Sequence, residues 1–152
     1  MENQTLEIKA ALQILKPVPV VFEAIVDPKK MSNYFISSST GRMEEGKNLS
    51  WRFPEFAMDV PVRVNKIEKD KYISYYWDGE GVELLVEMTL TSRGEDACLV
   101  TVTEKSMKND EAGIKWLKSN TEGWANFLAC LKAYLEYGIN LRKGAFDFMA
   151  DK

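Results

Sequence analysis

Apolar and polar residues alternate along most of the chain, which is the pattern of half-buried β-strands. The first such segment runs from Leu6 to Ile14. After a polar connector, the period of two returns around residues 49–53, 58–64, 73–77 and 82–90. A last strand is expected over residues 98–104, where the parity is ambiguous. Charged or glycine-containing turns separate these segments, and the turn at residues 93–96 is typical of a hairpin. The short connections predict a meandering antiparallel sheet of six or seven strands.

Two short helices are expected between the first strand and this meander. Residues 20–26 (VVFEAIV) form a short apolar run of the right length for the first helix. Pro28 follows Asp27 and is suited to open the second, because proline is tolerated at the first helical position. The predicted order is therefore strand, two short helices, then the remaining strands.

A longer helix is predicted over residues 120–140, where apolar side chains recur at steps of three and four residues. These are Trp124, Phe127, Leu128, Leu131 and Leu135. Asn120 or Thr121 is a candidate N-cap, although the spacing back to Trp116 favours a start nearer Asp110. Gly138 is suited to end the helix. A sheet with one apolar face, covered by such a helix, predicts an α+β fold.

Composition narrows the class of protein. A chain of 152 residues with 45% hydrophobic and 28% charged residues is typical of one globular domain, here residues 1–152. The net charge of −3 gives no basic surface for nucleic acid. No apolar run approaches the roughly 18 residues of a membrane span, and the N-terminus does not resemble a secretion signal, so a cytoplasmic location is expected. Cys98 and Cys130 are expected to be buried free thiols.

The sequence contains no histidine, and this absence limits the chemistry. A histidine-based triad, a histidine general base and a histidine-ligated metal are all excluded. The sequence also has no glycine pattern for phosphate and no paired carboxylates for a metal. We therefore expect no cofactor and no metal, and an enzyme of cyclase or hydrolase type is less expected than a binding protein.

The chain resembles the SRPBCC or START-like superfamily. The resemblance is carried by residues 17–35 (PVPVVFEAIVDPKKMSNYF) and by Gly123-Trp124 followed by the leucines of the long helix. More closely, these segments are similar to proteins related to the C-terminal domain of the heat-shock ATPase activator (AHSA-type), over roughly residues 5 to 142. The resemblance implies a helix-grip fold, in which a curved sheet wraps the last helix and a cavity lies between them. Two features depart from it: Tyr34-Phe35 replaces a pair that commonly begins with tryptophan, and the tail Gly144–Lys152 has no obvious counterpart.

Large side chains on the presumed inner face are predicted to line a mostly apolar cavity of several hundred Å³. The candidate ligand-binding residues are Trp51, Phe53, Tyr75, Trp77, Met88, Trp124, Phe127, Leu128 and Leu131. The alternative is that the same residues pack as a solid core. The first functional hypothesis is therefore a protein that binds a small lipophilic ligand between the sheet and the C-terminal helix.

Three acidic residues, at two places in the chain, are candidate polar groups of this site. Glu104 shares the parity of Val100 and Val102, so it is a possible polar handle if it is buried, with a raised pKa. A solvated position at the end of the strand is the favoured interpretation, because unpaired buried glutamate is rare. Asp78 and Glu80 lie on a glycine-rich loop at the expected cavity mouth, where an ordinary turn is favoured over a gate.

A second hypothesis is a protein-interaction module with a chaperone-type partner, as in the co-chaperone domain that the chain resembles. Such a module needs an exposed apolar or charged patch rather than a cavity. Both a monomer and a homodimer are compatible with the sequence. Phe146, Phe148 and Met149 belong to the longer C-terminal tail Gly138–Lys152, and they either fold back onto the body or pack on a partner.

Overall fold

The computed structural model describes residues 4–79 and 81–150, so Glu80 and the tail residues Asp151 and Lys152 lie outside the described residues. Seven strands are present within these ranges. They are β1 Thr5–Ile14, β2 Ser38–Ser39, β3 Asn48–Arg52, β4 Val60–Glu68, β5 Tyr72–Gly79, β6 Val82–Ser92 and β7 Cys98–Lys108. The strands form one antiparallel sheet in the order β1-β7-β6-β5-β4-β3-β2, so the first strand pairs with the last.

Two short helices, α1 Val18–Val26 and α2 Pro28–Met31, connect β1 to the far edge of the sheet. Pro28 opens α2, and the Asp27 side chain accepts a hydrogen bond from the Lys29 backbone N–H at 2.9 Å. A long helix, α3 Glu111–Tyr137, follows β7. A 3-10 helix at Asp147–Met149 lies in the C-terminal tail. The described residues contain no helix that is both long and apolar enough to cross a membrane.

The inner face of the sheet and the buried face of α3 enclose the core. One row of directly paired residues on the inner face crosses five strands. It shows how the alternation of apolar and polar positions along each strand produces one mostly apolar face of the sheet. The row is Ile8, Glu104, Val86, Tyr75 and Val64. All five side chains are buried. This arrangement confirms the predicted α+β class, with an antiparallel sheet packed on a C-terminal helix.

The helix α3 begins at the earlier of the two predicted positions. Asp110 is the N-cap and its side chain accepts a hydrogen bond from the Gly113 N–H at 2.8 Å. A Cβ at Gly113 would lie 1.9 Å from the Lys108 carbonyl oxygen, so only glycine allows the helix to start this close to β7. Asn120 is therefore inside the helix and is not its cap. Gly138, in the left-handed region with φ 65°, ends the helix as predicted.

Candidate functional site

A cavity of about 220 Å³ lies between the sheet and the middle of α3, and the tail closes part of its mouth. Its wall is mostly aromatic: Tyr34, Phe35, Phe53, Phe56, Trp77, Trp124, Phe127 and Phe146. These side chains come from the segment after α2, from β3–β5, from α3 and from the tail, so the site depends on the complete fold. The volume is smaller than the several hundred Å³ expected from the sequence.

The aromatic wall is held by ring-to-ring contacts. Trp77 and Trp124 stack with their ring centroids 5.7 Å apart and their planes 29° apart. Phe35 meets Phe127 edge-to-face at 4.7 Å and Phe53 at 5.3 Å. Offset-stacked and edge-to-face pairs are favourable for aromatic rings, and each of these five rings is in contact with at least one other. The wall is therefore preorganised rather than collapsed into the space.

The structure divides the predicted ligand-binding residues into two groups. Phe53, Trp77, Trp124 and Phe127 line the cavity. The other five are buried in the core behind it: Trp51, Tyr75, Met88, Leu128 and Leu131. Ligand binding by either group stays a prediction. The sequence pattern could not separate them, because both groups share the inner parity of their strands or the apolar stripe of α3.

The favoured prediction of a solvated Glu104 was wrong. The side chain is buried, with 0% exposure. The predicted end of the strand was wrong: β7 continues to Lys108, which leaves Glu104 in the interior of the strand. Its neighbours across the sheet are Ile8 and Val86, and α3 lies over it. The residue therefore occupies an apolar row of the sheet, where a carboxylate has to be satisfied by the protein itself.

Three side-chain N–H groups satisfy this carboxylate. Its Oε1 accepts from Trp124 Nε1 at 2.8 Å and from Asn120 Nδ2 at 3.1 Å, and its Oε2 accepts from Trp77 Nε1 at 2.8 Å. A group that accepts three hydrogen bonds and donates none has the pattern of an ionised carboxylate. All three donors line the cavity, so Glu104 lies directly behind its floor and holds Trp77 from β5 against Trp124 from α3.

Two buried polar groups next to this network have no hydrogen-bond partner within the described residues. They are Trp51 Nε1 and the Tyr75 hydroxyl, on rings whose centroids are 5.2 Å apart. Burial raises the pKa of Tyr75 well above its ordinary value, and the nearby charge of Glu104 adds to this effect. Tyr75 therefore stays protonated at neutral pH.

The mouth of the cavity carries a second acidic residue. Arg142 of the tail donates from Nη1 and Nη2 to the two carboxylate oxygens of Glu55 at 2.9 and 2.8 Å. Both side chains are largely withdrawn from water, with 13% of Arg142 and 3% of Glu55 exposed. The guanidinium also lies over the Phe146 ring at 5.0 Å and over the Phe53 ring at 5.8 Å. Arg142 is thus the main tie between the tail and the body of the protein.

Sequence reasoning missed this mouth. Glu55 and Arg142 are 87 positions apart, and nothing in their neighbourhoods shows that they pair. A signal for the aromatic residues was present, because Tyr34-Phe35 belongs to the segment that carries the family resemblance. For Phe146 and Met149 the sequence allowed packing either on the body of the protein or on a partner. In the structure both side chains line the cavity.

Small residues also border the cavity. Cys130 lines it from α3, whereas Cys98 lies elsewhere in the core; both thiols are free and buried, as predicted. Burial raises the pKa of each thiol. A Cβ added to Gly123 would meet no atom within 4 Å, so the helix leaves open space at this margin.

In the parts of the chain that the structure describes, no group of three or more acidic or cysteine side chains is arranged to hold a metal ion.

Comparisons with known proteins identify relatives of this architecture. The family model for Activator of Hsp90 ATPase homolog 1-like protein matches residues 16–136. A crystal structure of a Staphylococcus saprophyticus protein is 31% identical, with a TM-score of 0.78, and the match covers 90% of this chain and 96% of that one. The comparison with curated proteins found no match.

Two further solved structures share the fold at lower identity. The solution structure of the Aha1 dimer from Colwellia psychrerythraea is 17% identical with a TM-score of 0.74, covering 88% of this chain and 98% of that one. The crystal structure of CalU16 from Micromonospora echinospora is 16% identical with a TM-score of 0.68. That match covers 99% of this chain and 94% of the other. At these identities the likeness concerns the fold alone.

Proposed function

We propose a function for this chain from the premise that it belongs to the Activator of Hsp90 ATPase homolog 1-like protein family. It is an AHSA-type member of the SRPBCC superfamily, a fold that suits a ligand-binding or a co-chaperone-like domain. The proposed function is the binding of a small lipophilic molecule between the sheet and α3. The observation that carries this proposal is the cavity with its preorganised aromatic wall.

The size of the cavity limits the ligand. An apolar cavity of about 150 Å³ holds benzene, and typical ligand sites measure about 300–1,000 Å³. At about 220 Å³ the present cavity favours a molecule of one or two rings, or a short branched chain. The amides of Asn120 and Asn126 lie in the wall on the α3 side, where they can orient a polar substituent.

Glu104 and Tyr75 were the two candidate residues for acid–base chemistry, and their surroundings favour binding over catalysis. The carboxylate of Glu104 is occupied by three hydrogen bonds from neighbouring side chains. The raised pKa of Tyr75 makes its hydroxyl a poor proton donor at neutral pH. Neither residue is among those that line the cavity in the described chain.

Native mass spectrometry of the protein purified from its own source tests the proposal. We expect a bound small molecule that is retained in the folded protein and released on denaturation. Cys130→Met is the blocking variant, because it adds volume at a side chain that lines the cavity; Cys130→Ala is its control. Loss of the bound mass in the first variant and its retention in the second would support the cavity as the site.

A bound mass that survives Cys130→Met at full occupancy would refute this location. Absence of any bound mass, together with no binding of small aromatic compounds by the purified protein, would refute the function itself.

A protein-interaction module is the second candidate, and one observation favours it. Several apolar side chains at the end of α3 and in the tail are exposed, including Tyr137, Ile139, Leu141 and Phe148. Large exposed apolar side chains are enriched where a protein binds a partner. In that case, charge-conserving substitutions of these four residues by serine would abolish partner binding and leave the cavity ligand in place.

A further inference from the structure

We infer that the cavity selects a small organic cation, such as an aromatic ammonium compound, over a carboxylate of the same shape. This inference rests on the proposed binding function and adds the charge class of the ligand. It depends on the charges around the cavity, on the polarity of its aromatic wall and on the one cation that the protein already holds there.

The charges around the cavity leave one negative charge without a cation. Of the described residues that line it, only Glu55 and Arg142 are charged, and they neutralise each other in a two-fold hydrogen-bonded pair. Behind the floor lies the carboxylate of Glu104, whose hydrogen-bond partners are two indoles and an amide. Among the described residues it forms no salt bridge. Because the surroundings are apolar, this charge is weakly screened and favours a positive ligand.

The hydrogen bonds to Glu104 also change the aromatic wall. Trp77 and Trp124 each donate an indole N–H to the carboxylate at 2.8 Å. Donation to an anion polarises the donor and makes its ring richer in electrons. Electron-rich indole faces are the best aromatic partners for a cation. The two rings at the floor of the cavity and the buried charge of Glu104 therefore both favour a cation.

The protein already places a cation against this wall. The guanidinium of Arg142 lies 5.8 Å from the centre of the Phe53 ring, which lines the same cavity, and 5.0 Å from that of Phe146. These distances fall within the range of cation–π contacts. A ligand carboxylate would meet the same aromatic faces and the charge of Glu104, and the charge of Arg142 is already neutralised by its two-fold pair with Glu55.

Three probes with one bicyclic ring test this inference: 1-naphthylmethylamine, 1-naphthylmethanol and 1-naphthoate. Their affinities for the full-length protein are measured by titration calorimetry at neutral pH, where the amine is a cation and the acid an anion. We expect the amine to bind tightest and the carboxylate weakest, with about a tenfold difference in Kd between amine and carboxylate. Equal affinities, or tightest binding by 1-naphthoate, would overturn the inference.

Matched variants assign the preference to a residue. Glu104→Gln removes the charge but replaces one acceptor oxygen by an amide donor, so it can weaken the binding of all three probes. The readout is therefore the ratio of the Kd values of amine and alcohol, and the amine should lose its advantage. Glu87→Gln is the control, because this carboxylate pairs with Lys105 and does not line the cavity; it should retain the preference. Should Glu104→Gln fail to fold, the ranking of the three probes by the unmodified protein still decides the matter.

Failure of the inference is distinguishable from failure of the proposed function. Binding of the alcohol without preference for the amine would refute the charge class and leave lipophilic binding intact. Absence of binding by all three probes would also refute the charge class, and the co-purifying mass would then decide the proposed function independently.

Discussion

The floor and the mouth of the cavity each contain a glutamate withdrawn from water, and they are satisfied in different ways. Glu104 at the floor accepts three neutral N–H donors from β5 and α3, the parts of the fold that form the core. Glu55 at the mouth is held by one cation, Arg142, from the tail. The floor is thus tied to elements of the core, whereas the charged contact at the mouth is the pair of Arg142 with Glu55.

The tail itself has few other ties. The 3-10 helix Asp147–Met149 contains no buried residue, and Phe148 is 65% exposed. Gly138 and Gly144 both adopt positive φ angles, so the chain turns sharply on each side of Arg142. Segments with few buried contacts open at lower free energy than the core. We therefore expect the mouth to open at a lower free energy than the floor.

Replacing each of the two carboxylates by leucine should give the largest difference between floor and mouth, measured as the loss in free energy of unfolding. Glu104→Leu leaves three N–H donors without an acceptor, and we expect it to lower the free energy of unfolding by about 3–5 kcal/mol. Glu55→Leu is the matched control and should cost less, roughly 1–3 kcal/mol, because it leaves one cation that lies at the mouth and can turn towards water. Urea denaturation followed by tryptophan fluorescence measures both. Similar losses in the two variants would show that the floor is no more tightly built than the mouth.

Removing the tie at the mouth should open the cavity without changing the floor. In Arg142→Met, we expect Cys130 to react with a thiol reagent about tenfold faster, a change of about 1.4 kcal/mol in the free energy of opening. Cys98 is the internal control, since it is buried away from the cavity and should keep its rate.

The electrostatic effect of this substitution acts in the opposite direction. Burial raises the pKa of Cys130, and the charge of Arg142 partly offsets that effect. Loss of Arg142 therefore raises the pKa further and slows the thiolate reaction, so faster labelling would have to come from opening. Unchanged labelling of Cys130, or equal acceleration at Cys98, would contradict a mouth closed by Arg142.

A third carboxylate, Glu136 near the end of α3, is expected to contribute least to stability, and its contribution should depend on pH. Burial raises the pKa of Glu136, but hydrogen bonds from the Leu15 N–H and from Lys132 outweigh it, and the pKa lies below its ordinary value of 4.5. A lowered pKa means that the carboxylate stabilises the fold above the unfolded pKa and loses this effect as pH falls through the folded pKa.

Glu136→Gln should therefore cost roughly 1 kcal/mol at neutral pH. The difference from the unmodified protein should shrink as the pH falls below 4.5. Thermal denaturation between neutral and acidic pH measures this change. A difference that is constant over the whole range would exclude the ionised form of Glu136 as its source.

Local sequence patterns were sufficient to predict the order of the main helices and strands, although not all of their ends. A period of two in the strands and of three to four in α3 follows directly from backbone geometry, so the α+β class, the antiparallel sheet and the covering helix were predictable. The family resemblance added the helix-grip arrangement. Gly138 and Pro28 marked a helix end and a helix start through their own backbone constraints.

The residues that surround the cavity, and the partners of its charged groups, could not be predicted from these patterns. Trp51 and Trp77 share one parity pattern, yet the first is core and the second lines the cavity. Glu104 was misplaced because its acceptable burial depends on donors 16, 20 and 27 residues away. The pairing of Glu55 with Arg142 spans 87 residues. Local patterns cannot specify such contacts, because packing and hydrogen-bond partners are fixed by where distant segments meet.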